Sequence, residues 1–201
     1  MKTKMLSIVL MLAPPLVSAK WLNTDNTDEI SERRTLSAFS YKYQQEESIG
    51  VRCDISSGIK ETLLTFDVDS ALGVPNTEVD MFVKVDDNKP IKFRGRLYSN
   101  SYRSGFVRMN DKTGVQISKL LAQMIAGNRA FVKIQNDRRS EIVDYSVSLS
   151  GFTSSSNKTL SACDLNPKAV EMKAEDKDRL SEINEAIKKL NSEKEAILSK
   201  Y

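Results

Sequence analysis

Alternation of apolar and polar residues is the dominant pattern in the middle of the chain. Apolar side chains occupy every second position in four segments, residues 64–68, 79–85, 130–134 and 143–149. Phe82 interrupts the polar side of the second segment. Strands of this kind bury one face and expose the other, which is typical of antiparallel sheets. Residues 86–90 provide a turn sequence between two strands. The pattern predicts a mainly β, α+β protein with an antiparallel β-sandwich-like domain.

Two other segments differ from this alternation. Apolar residues at 117, 120, 121, 124 and 125 lie on one helical stripe, and Thr113 and Gln116 have the spacing of a capping box. The serine-rich segment 153–163 is a candidate short helix that carries the second cysteine. We therefore expect residues 20–165 to form a β domain whose sheet is covered by one amphipathic helix.

The composition changes after Pro167, where charged residues of both signs become frequent and glycine is absent. Five apolar residues of this tail follow heptad spacing: Leu180, Ile183, Ile187, Leu190 and Ile197. The spacing predicts a long C-terminal amphipathic helix over residues 166–201. A stripe of this length suits a short coiled coil with a second copy, docking on another envelope protein or on the β domain, or a marginal exposed helix.

The first nineteen residues have the features of a secretory signal peptide. Lys2 and Lys4 form a basic start, an apolar run follows, and small residues precede a cleavage site after Ala19. A membrane anchor is the alternative, but the run is short for about 30 Å of hydrocarbon and contains two prolines. We therefore expect a periplasmic mature chain without a transmembrane segment.

The absence of histidine excludes several kinds of catalytic and metal-binding site in this chain. Its 201 residues include two cysteines, 30 Lys+Arg and 27 Asp+Glu. A Ser-His-Asp triad and a His-ligated metal are excluded, and two cysteines cannot build a four-cysteine site. Four aspartates lack the spacing of a calcium loop, namely Asp67, Asp69, Asp86 and Asp87. No cofactor or metal is predicted, and an exported chain of nearly balanced charge is not expected to bind nucleic acid.

The two cysteines are predicted to form a disulfide bond. Exported proteins with an even number of cysteines commonly oxidise them. Cys53 lies on the apolar side of the alternating segment 49–55, and Cys163 follows near the end of the β domain. Closing so long a loop is expected to contribute about 4–5 kcal/mol on the chain-entropy model. Two buried thiols are the alternative.

Three short motifs suggest a serine enzyme acting on the cell wall. Ser57-Gly-Ile-Lys60, Tyr98-Ser-Asn100 and Lys112-Thr-Gly114 occur in the order of the motifs of penicillin-binding proteins and β-lactamases. The first motif should open a buried helix, whereas residues 57–60 lie between two alternating segments and suit a turn. We therefore predict no catalytic residues and keep the serine enzyme as an alternative.

The segment 89–112 is the strongest candidate for a binding surface, because basic and aromatic residues are interleaved along it. The candidate contact residues are Lys89, Lys92, Arg94, Arg96, Tyr98, Tyr102, Arg103 and Arg108. Such a patch suits phosphates, lipopolysaccharide or an acidic protein, and so an anionic envelope component. The alternative is that the arginines line outer strand faces and pair with nearby acids such as Asp86 and Asp87.

A series of landmarks follows a recognisable order between residues 21 and 165. They are Trp21, Asp25, Asp28, Val51-Arg-Cys53, Lys84-Val-Asp86, Tyr98–Ser101, Ile117–Met124, Tyr145–Leu149, Gly151-Phe152 and Ala162-Cys163. This order resembles the VasI/TagO-like family of periplasmic proteins associated with type VI secretion. Residues 148–152 are also similar to invasion-associated locus B proteins, another exported β family.

The resemblance implies a non-enzymatic accessory or binding protein of the cell envelope. This chain departs from the family pattern at Lys84, where arginine is common, and at Tyr98, where tryptophan is common. The tail after residue 166 is an addition to the pattern. An alternative is therefore a phage- or mobile-element-encoded envelope protein that uses the same domain.

Overall fold

The computed structural model describes residues 20–41 and 46–165, together with individual positions of the tail between 179 and 194. The predicted signal peptide, residues 1–19, lies outside the described residues. The chain divides into two compact units, Met1–Pro167 and Lys168–Tyr201, which are described separately below.

Nine strands dominate the first unit, which confirms that the protein is mainly β. They are β1 (Lys20–Asp28), β2 (Arg33–Tyr41), β3 (Ser48–Ser56), β4 (Ile59–Asp67), β5 (Glu78–Val85), β6 (Ile91–Leu97), β7 (Gly105–Arg108), β8 (Arg129–Asn136) and β9 (Ile142–Ser148). All adjacent strands are antiparallel, and their order in the sheet is β1-β2-β3-β4-β7-β6-β5-β8-β9. The described strands thus belong to one hydrogen-bonded sheet, whereas a sandwich has two.

The two ends of this sheet meet around a shared core. The indole Nε1 of Trp21 in β1 donates a hydrogen bond to the carbonyl of Ser148 in β9 at 2.8 Å. The hydroxyl of Tyr145 in β9 donates to the carbonyl of Ser48 in β3 at 2.6 Å. Burial raises the pKa of Tyr145 well above its usual value, because it disfavours the charged phenolate. Apolar side chains of both halves of the sheet pack in one cluster between them.

The described part of the first unit also contains two helices, α1 (Gly114–Ala126) and α2 (Phe152–Ala162). The predicted stripe of α1 is confirmed, since Ile117, Leu120, Leu121 and Met124 are buried. The predicted capping box is wrong, because the Thr113 hydroxyl donates to the carbonyl of Arg108 at 2.6 Å and does not cap the helix. Helix α2 is the short helix expected over residues 153–163, and it lies against β1, β2 and β3.

The predicted disulfide bond is confirmed. Cys53 in β3 and Cys163 at the end of α2 are bonded, with their Cα atoms 5.7 Å apart. Leu36 of β2 packs beside the two sulfur atoms in a small buried cluster. The bond therefore fastens the end of α2 to the centre of the first half of the sheet.

The long helix predicted over residues 166–201 is not found as one continuous element among the described residues. The described positions between 179 and 194 are helical, and the side chains of Ile183, Ile187 and Leu190 are exposed. Leu180 and Ile197 lie outside the described residues. No helix in the described part of the chain has the length and apolar character needed to cross a membrane.

Candidate binding face

The candidate residues of segment 89–112 are distributed over three places in the structure. Lys92, Arg94 and Arg96 point outward from β6, and Lys89 is exposed in the turn before it. The other candidates lie in the loop between β6 and β7 or at the end of β7: Tyr98, Tyr102, Arg103 and Arg108. The segment therefore does not form one continuous cationic patch.

Arg94 is the centre of an ion-pair network on the outer face of β6. Its guanidinium group lies 3.1 Å from Glu78, 2.9 Å from Asp80 and 2.5 Å from Asp137. Hydrogen bonds with Asp80 and Glu78 hold the pKa of Arg94 above its usual value. Lys92 shares Asp80 at 2.9 Å. These cations are already paired, so this part of the segment offers little free charge to an anionic ligand.

The other arginines of the segment are also paired. Arg108 Nε lies 2.8 Å from Glu61, and its guanidinium carbon is 5.8 Å from the ring centroid of Phe106. Arg103 pairs with Glu46. The interpretation that the arginines pair with acids is therefore supported.

However, the acids that pair with these arginines are not Asp86 and Asp87, the partners expected from the sequence. Asp86 accepts hydrogen bonds from the backbone N–H groups of Asn128 and Arg129, each at 2.9 Å. Its carboxylate is used to join the turn after β5 to the start of β8. Antiparallel pairing instead brings Glu78 opposite Arg96 and Asp80 opposite Arg94, which is why these acids are the partners.

Ser57 and Lys60 lie in and beside the hairpin turn between β3 and β4. Ser57 and Gly58 have φ values of 50° and 77°, the left-handed conformation that a tight two-residue hairpin turn requires. Lys60 Nζ binds Asp164 at 2.7 Å. The helix that the serine-enzyme motif needs is therefore absent from this described segment. The described residues also contain no group of three or more Cys, Asp or Glu placed to hold a metal ion.

A groove of about 660 Å³ lies on the outward side of β5, β8 and β9. Six of its lining residues are Phe82, Lys84, Pro90, Phe131, Lys133 and Asp144. Pro90 comes from the turn before β6, and the other five come from outward positions of the three strands. We call these six residues the aromatic–lysine face.

Strand register places aromatic and cationic side chains alternately on this face. Phe82 lies directly opposite Lys133, and Lys84 lies directly opposite Phe131. Directly opposed side chains on one face of a sheet contact one another. Phe131 remains 44% exposed despite its size. Large exposed aromatic side chains grouped in a groove are typical of binding surfaces.

The charges of this face are less compensated than those on β6. No described residue forms an ion pair with Lys84 or Lys133. Asp144 is the acid that lines the groove, and it lies opposite Lys133 without coming within ion-pair distance. Lys92 extends from the neighbouring strand to within 5.5 Å of the Phe82 ring centroid. The face therefore combines two aromatic rings with a positive rim.

Sequence reasoning did not find this face. The one available signal is a phenylalanine at an outward position of a strand, as at Phe82 and Phe131, where alternation calls for a polar residue. The two residues are far apart in the chain, and only the pairing of β5 with β8 brings them together.

Asp54 is a buried carboxylate that sequence reasoning also missed. It accepts hydrogen bonds from Arg33 at 2.6 Å, Arg52 at 2.7 Å and the Thr35 hydroxyl at 2.9 Å. Burial by itself raises the pKa of a carboxyl group, but these hydrogen bonds outweigh it and hold the pKa of Asp54 below its usual value. Asp54 therefore joins β2 to β3 by charge-assisted bonds.

We expect Asp54→Asn to lower the free energy of unfolding at pH 7 by about 1–3 kcal/mol, because the arginines lose their anionic partner. A depressed folded pKa stabilises the fold above the unfolded pKa of about 3.9, and this contribution is lost as the pH falls further. Urea unfolding at pH 7 and at pH 3 should therefore give a smaller difference between the two proteins at pH 3. A difference that does not change with pH would contradict this role.

Comparison of the chain with models of protein families, with curated proteins and with solved structures found no match. The class that can be stated from the fold and the face is a disulfide-bonded antiparallel β protein with an aromatic–lysine groove. The resemblance to VasI/TagO-like proteins stays a prediction.

Proposed function

We propose that this protein is a non-enzymatic accessory or binding protein of the cell envelope, and that the aromatic–lysine face contacts its partner. The observation that carries the proposal is the groove, in which exposed Phe131 and half-buried Phe82 lie beside lysines without ion-pair partners. Phenyl rings and amines in such an arrangement bind a ligand by burial and charge. Strands β5 and β8 are hydrogen-bonded to neighbours on both sides, so the face is formed before binding, and a preformed surface loses little entropy on binding.

The periplasm is the compartment that best accounts for both the disulfide bond and the sequence of residues 1–19. The Cys53–Cys163 bond favours an oxidising compartment, and residues 1–19 carry the signal-peptide pattern. The resemblance to VasI/TagO-like proteins supports a role beside type VI secretion. A phage- or mobile-element-encoded envelope protein with the same domain remains the alternative system.

The tail supplies a second candidate contact in this proposal. Ile183, Ile187 and Leu190 are exposed and follow the helical spacing of a coiled-coil seam. This stripe suits a second copy of the chain or another envelope protein. The serine-enzyme alternative is weaker, because Ser57 lies in a hairpin turn.

A photo-crosslinking residue at position 131, placed in the full chain and expressed in the native host, tests the binding face. We expect ultraviolet light to produce one discrete adduct, and Phe82→Ala in the same chain to reduce it about tenfold, as for a buried aromatic anchor. Position 119 is the matched control, because Lys119 is exposed on α1, away from the groove. No adduct at 131, or equal adducts at 131 and 119, would contradict the proposal.

A further inference from the structure

From the arrangement of the aromatic–lysine face we infer that its partner is an extended acidic segment of another protein, in which acidic and apolar side chains alternate on the side facing the groove. This inference rests on the proposed function and adds the chemistry of the partner. Three features of the face support it: its charge, the spacing of its side chains and its recessed shape.

Charge complementarity selects an acidic partner. Lys84 and Lys133 form no ion pair with any described residue, and Asp144 is the acid lining the groove. Lys89 is also exposed, in the turn that carries Pro90. The paired cations of β6 contrast with this, since Asp80 and Glu78 already neutralise Arg94. The lysines of the groove therefore have more to gain from an added carboxylate than the paired cations of β6.

The spacing of the side chains suits an extended peptide. Phe82 and Lys84 are two residues apart on β5, about 6.6–6.8 Å along the strand. An extended peptide repeats the side chains of one face at the same interval. A segment lying along β5 thus sets an apolar side chain over Phe82 and an acidic one over Lys84. On β8 the order is reversed, because Lys133 lies opposite Phe82 and Phe131 lies opposite Lys84, so each step along β5 offers one ring and one amine.

The recessed shape favours a peptide over a membrane surface. Phe82 and Lys84 are half-buried in the groove, while Phe131, Lys133 and Pro90 are exposed around them. A flat bilayer surface contacts only protruding side chains, whereas a single extended peptide is narrow enough to enter a groove.

The inference is tested with a synthetic peptide that alternates glutamate with phenylalanine and valine, and with a twin peptide in which lysine replaces glutamate. We expect the full chain to bind the acidic peptide with a micromolar dissociation constant and the basic twin at least tenfold more weakly. Amide NMR shifts should map to β5, β8 and β9. Binding should weaken as salt increases, because the lysines are exposed.

Variants of the lysines identify the site. Lys84→Glu together with Lys133→Glu should weaken binding of the acidic peptide about tenfold or more, and the double change to glutamine should give an intermediate loss. Lys119→Glu is the control matched to the double glutamine variant, since both lower the net charge by two, and at an exposed position of α1 it should leave the affinity unchanged. Equal loss in all three variants would show a general charge effect and overturn the inference.

Two further results separate this inference from the proposed function. If crosslinks at position 131 persist in the Lys84→Glu/Lys133→Glu chain, the acidic partner is refuted while the binding face stands. If the chain instead binds phosphatidylglycerol vesicles in the same lysine-dependent way and ignores the acidic peptide, the partner is a membrane and the inference is overturned. Absence of crosslinks at 131 in the parent chain refutes the proposed function itself.

Discussion

Replacing Cys53 and Cys163 together with alanine should lower the free energy of unfolding by about 4–5 kcal/mol. The bond closes a loop of 110 residues, which contains the end of β3, the six strands from β4 to β9 and both described helices. Without it, the unfolded chain gains the freedom that this closure removes. The cost is large against the roughly 5–15 kcal/mol that typically stabilises a folded domain.

Urea unfolding followed by circular dichroism measures this effect, and two comparisons control it. The parent protein in reductant should unfold at nearly the same urea concentration as the double-alanine variant in the absence of reductant. Adding reductant to the variant should change nothing. A difference below about 1 kcal/mol between oxidised parent and variant would mean that the packing of α2 on β1, β2 and β3 holds the domain without the bond.

The parts of the fold that could be predicted are those in which local periodicity coincides with burial. Apolar residues alternate in segments 49–55, 64–68, 79–85, 130–134 and 143–149, and α1 carries an uninterrupted apolar stripe, so β3, β4, β5, β8, β9 and α1 are each visible within one short window. Strands β1, β2 and β7 were not predicted. Strand β1 lies at the edge of the sheet, and most of its side chains are polar and exposed, so burial imposes little alternation on it.

The candidate sites could not be predicted because they depend on strand register. Arg94 and Arg96 are basic residues in the sequence, but pairing with β5 sets them opposite Asp80 and Glu78 and removes their free charge. The sequence alone does not indicate that Lys84 belongs to the aromatic–lysine face, because only the pairing of β5 with β8 places it opposite Phe131. A single-sequence pattern gives the face of a strand on which a residue lies, but not its neighbour across the sheet.

The curvature of the sheet could not be predicted from the sequence pattern either. Alternation predicts that each strand has one buried face, which two facing sheets or one bent sheet satisfy equally well. Here the short strand β7 connects the two halves, and polar contacts join the ends. Those contacts involve Trp21 and Tyr145, whose hydrogen-bond partners are about a hundred residues or more away in the chain.

Trp21→Ala should be the most damaging single substitution at this junction and should lower the free energy of unfolding by about 3–5 kcal/mol. Trp21 is 5% exposed and its ring centroid lies 4.7 Å from that of Phe152 in α2. Its loss leaves a cavity between β1 and α2 and removes the only indole hydrogen bond to β9 in the described part of the chain. The two ends of the sheet would then be joined less firmly.

Trp21→Phe separates the two contributions of this residue. The phenyl ring keeps most of the packing against Phe152 but cannot donate to the carbonyl of Ser148, so we expect a loss of about 1–2 kcal/mol. Because Trp21 is the one tryptophan of the chain, unfolding must be followed by circular dichroism instead of its fluorescence. If the alanine and phenylalanine variants are equally stable, packing at this junction contributes little, and closure of the sheet depends on other contacts such as the bond from Tyr145 to Ser48.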